Sequence, residues 1–418
     1  MPTATEIIRS ERLRELEHWR LATDRLANLD ILASASAWQA LEHYTGVALR
    51  DMLKTSVMRL ANTVEHLQAK LKTIPSGQEG QLRPDFLALR QAFLRTETTL
   101  DFYADALATR SQPQMATLLR ACDHIATRGM AEALTPLGRQ VPAALTYLDK
   151  GLGASILKAG IRLWDPGVEN PIAAIKAVRH NLLRPTALLH EAGHQVAHAL
   201  RWNQELAVAL SKELAGDPTL ADIWESWASE VAGDAFAFVH TGFAALVALR
   251  DVVAGGDLTV FQILPGDPHP CGWIRVLLNV EFCRRCYGQG PWDKLAAVWL
   301  TDYPLEKAPA DIHRLLAASQ QALPKVVEIV LHSPYRAFGG RSLAQLVNPM
   351  RVSPAALEQL RREASLASPY WLWNESIRLL AMTGYRTGLG AREARDGIDE
   401  QEKFMLQLGM LRQLETRT

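Results

Sequence analysis

The helical character of this chain is clearest in residues 26–71, which read LANLDILASASAWQALEHYTGVALRDMLKTSVMRLANTVEHLQAKL. Apolar residues recur there three or four positions apart, which is the spacing of one face of an α-helix. We therefore expect one long amphipathic helix or two in series, with Gly46 as the weak point. Residues 73–84, TIPSGQEGQLRP, are rich in Gly, Pro and polar side chains and predict a linker before the next helix.

Helical spacing continues outward from this stretch over most of the chain. Residues 1–150 as a whole predict an antiparallel helical bundle, which is also a candidate interaction region. The other helical segments that we expect are 113–133, 142–163, 171–181, 185–214, 217–254, 271–287, 292–301, 310–332 and 354–364.

The predicted fold class is mainly α, with little or no β-sheet. Only residues 258–264 could form a strand, and a short helix fits them equally well. Beyond the bundle over 1–150, we expect a core domain over 151–300 and a C-terminal helical region over 301–418. The tail from Arg386 is highly charged, which predicts a partly mobile segment with at most a short final helix.

Composition excludes several classes of protein. The chain has 418 residues, of which 48% are hydrophobic and 22% charged, as in ordinary globular proteins. Lys plus Arg equals Asp plus Glu at 45 each, so net charge gives no attraction to nucleic acid. The charged N-terminus is unlike a secretory signal, and no uncharged apolar run reaches about 18 residues. With only four cysteines, we expect a cytoplasmic protein without disulfides or a membrane span, and leave leaderless export open.

The residues that carry chemistry begin at 190–194, which read HEAGH. Two histidines four positions apart lie on one face of a helix, so both imidazoles can reach one ion. Glu191 then points to the adjacent side, where a general base is needed. The flanking residues are uncharged, as a buried metal-binding helix requires.

A catalytic zinc needs a third protein ligand besides His190 and His194. Residues 227–234, WASEVAGD, offer Glu230, which follows His194 after enough chain for a turn and a returning helix. Asp234 lies one helical turn further, where its carboxylate can accept the N–H of a ligand histidine. The alternative is an ordinary solvated helix face, which the surrounding aromatic and aliphatic residues disfavour.

The two motifs together resemble the gluzincin metallopeptidases, which carry HExxH on one helix and ExxxD on a following one. This chain has HEAGH and EVAGD, and the resemblance extends over about residues 185–275. It implies a zincin-like catalytic core that holds one catalytic Zn2+. The site residues that it implies are the zinc ligands His190, His194 and Glu230, the general base Glu191 and the hydrogen-bonding partner Asp234.

Three further polar residues lie near these motifs. His198 comes one turn after His194 and could compete as a ligand, although we favour a role behind the ligands or in the core. The CAAX-protease group of gluzincins carries a His-Pro and a downstream Arg after the glutamate helix. By this resemblance His269 and Arg275 contact the oxyanion or the substrate. The alternative for His269 is a surface residue in a proline-fixed turn.

A second, structural zinc site is the alternative use of the cysteines. Cys283 and Cys286 have the spacing of a zinc knuckle, and Cys271 and His269 could complete it. The pair is expected inside a helix, however, with arginine at both middle positions. Free thiols are therefore the favoured interpretation.

The function that these residues favour is that of a zinc-dependent hydrolase. We expect a metallopeptidase that cleaves a peptide or protein substrate by zinc-activated water with Glu191 as base. One expectation limits this hypothesis: residues 171–189 look helical, so we expect no strand upstream of the metal helix to bind an extended peptide. Two alternatives are a delivered toxin or effector with the same chemistry, and a non-catalytic zinc-stabilised helical adaptor. The N-terminal helices either pack internally or bind a protein partner.

Overall fold

The structure of the chain, a computed structural model, describes residues 3–39, 41, 45–151, 154–161, 169–264, 266–365 and 368–411. Contacts divide it into two units. The first comprises Met1–Ala116 with Lys158–Ile172, and the second comprises Thr117–Leu157 with Ala173–Thr418. These limits differ from the boundaries near 150 and 300 that the sequence suggested.

The first unit is built from three long helices and one short one. Its helices are α1 (Ala4–Leu26), α2 (Ala35–Gln39), α3 (Gly46–Thr73) and α4 (Arg83–Ala108). The amphipathic run over 26–71 thus forms two helices in series, with α3 beginning at Gly46. Helices α1, α3 and α4 pack together around aliphatic and aromatic side chains. This core contains Leu16, Leu60, Val64, Leu67, Leu71, Phe86, Leu89 and Phe93.

The second unit holds a small sheet and the remaining helices. Its strands are β1 (Ala143–Leu148), β2 (Ser155–Leu157) and β3 (Ile172–Ala177, whose first residue falls in the first unit). Its helices are α5 (Pro113–Leu134, which enters at Thr117), α6 (Ala187–Leu200), α7 (Trp202–Glu213), α8 (Pro218–Ser226), α9 (Ala228–Thr241), α10 (Phe243–Val253), α11 (Asp257–Val260), α12 (Gly272–Tyr287), α13 (Pro291–Asp302), α14 (Ala310–His332), α15 (Leu343–Leu346), α16 (Pro354–Glu363), α17 (Pro369–Asn374), α18 (Ser376–Thr387) and α19 (Ala391–Met410).

The mainly α fold class is confirmed, but two of the expected helices are replaced by strands and two are divided. Residues 185–214 form α6 and α7, and residues 217–254 form α8, α9 and α10. Strands β1 and β2 occupy the segment 142–163, and β3 occupies most of 171–181. The sheet order is β1-β3-β2, and β2 runs antiparallel to β3 with Ser155 opposite Lys176. The central strand β3 is buried on both faces, so its sequence IAAIKA lacks the alternation that marks a half-exposed strand. A short apolar run of this kind does not distinguish a strand from a buried helix.

The structure also answers two smaller questions, about residues 258–264 and about the charged C-terminal tail. Residues 257–260 form the short helix α11, so the helical alternative for this stretch is confirmed. The charged tail is not a short helix: α19 runs for 20 residues, packs against α18 and buries Phe404, Met405 and Leu408. Its charges lie on the remaining face, which is why composition alone suggested a mobile segment. Residues 412–418 lie outside the described residues.

Helices α6 and α9 form the centre of the second unit and pack more extensively with each other than any other pair. All residues of α9 from Glu230 to Thr241 are buried. Among the described helices, none combines the length and the apolar character that a bilayer span requires.

Candidate metal centre

Helix α6 brings two imidazoles to one point. Residues Leu188, Leu189, Ala192 and Val196 bury one side of the helix in the core. His190 and His194 share another side, and their Nε2 atoms lie 3.1 Å apart. The spacing of four residues thus places both imidazoles on one side of the helix, as the motif predicted.

Helix α9 adds a carboxylate to this pair. Glu230 Oε2 lies 3.4 Å from His190 Nε2, and Glu230 Oε1 lies 3.2 Å from His194 Nε2. The Glu230 side chain is buried. Burial opposes its ionisation, but hydrogen bonds from His190 and His194 outweigh burial and hold the pKa of this carboxyl well below its usual range.

The donor set fits a tetrahedral divalent metal. His190, His194 and Glu230 each place one ligand atom within 4.8 Å of the others. Zinc bonds of about 2.0–2.1 Å in a tetrahedron require neighbouring ligand atoms to lie about 3.3–3.4 Å apart. The observed separations of 3.1, 3.2 and 3.4 Å are close to this value. Two imidazoles and a carboxylate are also ligand types that zinc prefers.

Two glycines allow α6 and α9 to approach closely at the site. A Cβ atom on Gly193 would lie 2.7 Å from Phe236 Cβ and 3.2 Å from Gly233 Cα. On Gly233 it would lie 2.7–3.1 Å from three atoms of the His190 ring. At each position the shortest of these distances is 2.7 Å, which is closer than a real Cβ atom approaches another heavy atom. Gly193 thus allows the close contact between the two helices, and Gly233 leaves room for the His190 imidazole. Sequence reasoning missed them, although both occupy a variable position of their motif.

Asp234 orients His190 from behind. Its Oδ1 atom lies 3.0 Å from His190 Nδ1. Since a carboxylate only accepts, Nδ1 carries a hydrogen towards Asp234, and Nε2 becomes the ligand atom once it gives up the hydrogen that it directs at Glu230. Burial opposes ionisation of Asp234, but the neighbouring Arg275 lowers the pKa of this carboxyl to about 2.

Arg275 on α12 lies against this arrangement rather than in the open part of the site. Its Nε donates to Asp234 Oδ2 at 2.7 Å and its Nη2 to Asp234 Oδ1 at 2.8 Å. The side chain is only 11% exposed. Asn279, one turn later, donates to Asp234 Oδ2 at 3.4 Å and was not singled out by the sequence.

Glu191 directly follows His190 on α6. Its side chain is buried, and burial raises the pKa of its carboxyl, against the opposing effect of His190 and His194. Glu191, Glu230 and Asp234 supply three carboxylates, whereas Arg275 supplies one guanidinium. A divalent cation would balance the two excess negative charges of this buried group.

His269 lies at the exposed side of the ligands. Its Nε2 is 3.5 Å from Glu230 Oε1, and its Nδ1 donates to Asp267 Oδ1 at 2.5 Å. The side chain is 56% exposed, so it belongs to the open part of the site and also sits in the expected proline-rich turn. Asp267 was missed as its partner, although the Asp-Pro-His spacing favours such a local contact.

The remaining candidates do not join the ligand set. His198 is exposed, so the expectation of a core role is wrong, and it is not one of the three converging residues. Cys271, Cys283 and Cys286 are free thiols, and the first two of them are buried. Burial raises the pKa of the Cys286 thiol to about 11. Within the described ranges, His190, His194 and Glu230 form the one group of three ligand atoms that converge.

Comparisons with other proteins add no family to this description. No protein-family model, curated protein or solved structure matches the chain.

Proposed function

We propose that this protein is a zinc-dependent hydrolase, and specifically a metallopeptidase. The observation that carries the proposal is the convergence of His190 Nε2, His194 Nε2 and a carboxylate oxygen of Glu230 at 3.1–3.4 Å. The spacing supports a tetrahedral metal site, and zinc is the metal that this ligand set favours.

The number of ligands supports a catalytic rather than a structural role for the ion. Structural zinc sites use four protein ligands, whereas catalytic sites use three and keep one position open. Three protein ligands converge among the residues that the structure describes. The exposed His269 beside Glu230 marks the side from which a substrate would enter.

The residues around the ligands suit hydrolysis of an amide. A zinc ion, when bound, supplies a Lewis acid that polarises a carbonyl and makes water more acidic. Glu191 takes the proton of the attacking water and returns it to the leaving amine. Burial raises the pKa of the Glu191 carboxyl, and a more basic carboxylate accepts the proton of water more readily. His269 donates from Nδ1 to Asp267, so it can donate from Nε2 to the oxyanion of the substrate only when its imidazole is doubly protonated.

The sheet supports a peptide as the substrate. Strand β2 lies at one end of the order β1-β3-β2 and packs against α6, which carries two of the ligands. The free side of an edge strand can pair with an extended peptide through backbone hydrogen bonds. Residues 155–157, which were expected to be helical, thus form an edge strand that supports the proposal of an extended peptide substrate.

The test combines metal analysis with cleavage of a peptide library. Wild-type protein should contain about one zinc per chain and cleave peptides. Glu191→Gln should retain zinc and lose cleavage by at least about 100-fold, the scale of general base catalysis. Glu225→Gln, an exposed change on α8, is the matched control and should cleave normally. Zinc binding without any cleavage by the wild type would favour the adaptor alternative.

A further inference from the structure

We propose that Arg275 is a positioning residue, which holds Asp234 in the orientation that presents His190 to the metal. The inference rests on the metal site of the proposed function. It replaces the expectation that Arg275 contacts the oxyanion or the substrate. The guanidinium instead acts on the metal site through Asp234, on the side of His190 that faces away from the metal.

The contact between the two residues is bidentate. Arg275 Nε and Nη2 donate to Asp234 Oδ2 and Oδ1 at 2.7 and 2.8 Å. A planar guanidinium opposite a planar carboxylate fixes the carboxylate in both position and rotation. Asp234 Oδ1 is the same atom that accepts from His190 Nδ1 at 3.0 Å. The orientation of the imidazole therefore depends on the Arg275 fork.

A second side chain on α12 supports this contact. Asn279 Nδ2 donates to the backbone oxygen of Arg275 at 3.0 Å and to Asp234 Oδ2 at 3.4 Å. Asn279 is 1% exposed, and Asp234 is 4% exposed. Because this environment excludes water, an Asp234 carboxylate without the guanidinium would carry a large desolvation penalty. It would then rotate or shift to accept from another donor.

Electrostatic repulsion between Arg275 and a bound cation would have the opposite effect on metal affinity. Arg275 Nη2 also lies 3.3 Å from Glu230 Oε2 and 3.3 Å from His190 Nε2. A positive charge this close to the ligand atoms repels a cation. If charge alone mattered, removing Arg275 would tighten metal binding and Lys at this position would leave it unchanged. If position matters, Lys should weaken binding although it keeps the charge, because it cannot form the fork.

The experiment measures zinc affinity by competition with a chromophoric chelator, using the full-length chain. We expect Arg275→Lys to bind zinc about 10–100-fold more weakly than wild type, as residues that orient a ligand do. Arg275→Met should be at least as weak. Arg284→Lys, an exposed change on the same helix, is the control and should bind like wild type. Normal affinity in Arg275→Lys, or tighter binding in Arg275→Met, would overturn the inference.

A double-mutant cycle shows whether Arg275 acts through Asp234. In the Asp234→Asn background, Arg275→Lys should lower zinc affinity by much less than it does alone. Additive losses would contradict the proposed route. Visible absorption of the Co2+-loaded proteins gives a second readout, since the intensity of its bands reports the ligand geometry. The spectrum should change in Arg275→Lys, whereas an unchanged spectrum would count against a positioning role.

These measurements separate the inference from the function on which it rests. Zinc affinity does not require hydrolysis, so an inactive protein can still show the effect of Arg275. If wild type takes up zinc and Arg275→Lys matches it, only the positioning role fails. If wild type takes up no zinc at all, both proposals fail.

Discussion

At the residue scale, Asp234 decides which nitrogen of His190 faces the other proposed ligands. His190 donates a hydrogen bond from Nδ1 to Asp234, and its Nε2 atom faces His194 and Glu230. When the two imidazoles lack the protons that they donate to Glu230, the three atoms are acceptors that face one another, which is costly unless a cation binds between them. A cation at this point relieves that cost, which is the physical reason to test these residues first.

Zinc content should follow the ligand set residue by residue. His190→Ala and His194→Ala should each abolish uptake of the ion, and Glu230→Ala should lower the affinity strongly. Asp234→Asn should lower it by about 10–100-fold, because it removes an orienting contact and not a ligand. The measurements are metal analysis of the purified proteins and chelator competition.

The control for these changes is His313→Ala, which removes an exposed imidazole from α14. It should leave the zinc content unchanged. Loss of zinc in His198→Ala combined with retention in Glu230→Ala would mean that the third ligand is misassigned.

At the scale of the elements, the crossing of α6 and α9 depends on glycine. Gly233→Ala would place a methyl group 2.7 Å from His190 Cε1. We expect it to destabilise the fold by about 1–3 kcal/mol, as overpacking does, and to weaken zinc binding. Thermal unfolding and chelator competition measure the two effects. Gly216→Ala, which meets nothing within 4 Å, should change neither; equal behaviour of the two variants would refute the tight crossing.

The C-terminal end of α9 lies close to a partly buried ion pair. Glu132 on α5 accepts from Arg351 at 2.9 and 3.2 Å and lies 3.7 Å from His240 Nε2. Burial opposes ionisation of Glu132, but His240 and Arg351 outweigh it and lower the pKa of this carboxyl. A depressed pKa in the folded state gives stability that is present above the ordinary carboxyl pKa of about 4.3 and is lost as pH falls below it.

Chemical denaturation at several pH values tests this ion pair. Glu132→Gln should be less stable than wild type at pH 7, and the difference should shrink as the pH falls below about 4. The exposed Glu225→Gln should show little difference at any pH. The difference in the free energy of unfolding between wild type and Glu132→Gln could instead be constant with pH. This result would show that the charge of Glu132 does not stabilise the fold.

At the scale of the whole molecule, every proposed ligand lies in the second unit, whereas the N-terminal helices form a core of their own. A chain that starts at Pro84 would lose α1 and α3 and expose Phe86 and Leu89 on α4. We expect it to be less soluble than the full chain but to keep about one zinc. Solubility and metal analysis measure both, and loss of zinc from a stable truncate would point to a ligand in the first unit.

A point change in the full-length chain provides the control for truncation. Leu89→Ala removes a fully buried side chain from the first core and should cost about 2–5 kcal/mol in that unit. Its zinc affinity should equal that of wild type. A matching fall in zinc affinity would show that the two units depend on each other.

The sequence predicted the helices and the ligand candidates because both follow local rules. Spacings of three and four residues reveal amphipathic helices, and HEAGH places two imidazoles on one face whatever surrounds it. The strand β3 escaped because a short apolar run has no distinguishing period. The roles of Arg275 and Gly233 depend on contacts between helices that are distant in sequence, so no local pattern could reveal them.

The placement of all three ligands on α6 and α9 also has a kinetic consequence. Backbone amides in these helices exchange with solvent when the helices separate, and separation requires release of the ion. Zinc at about 100 times its Kd should therefore slow their hydrogen exchange by about 100-fold. Amides of α1, in the other unit, should exchange at the same rate with and without zinc. Helices α7 and α8 lie within the connection from His194 to Glu230 and can open while the ion stays bound, so their exchange should respond less.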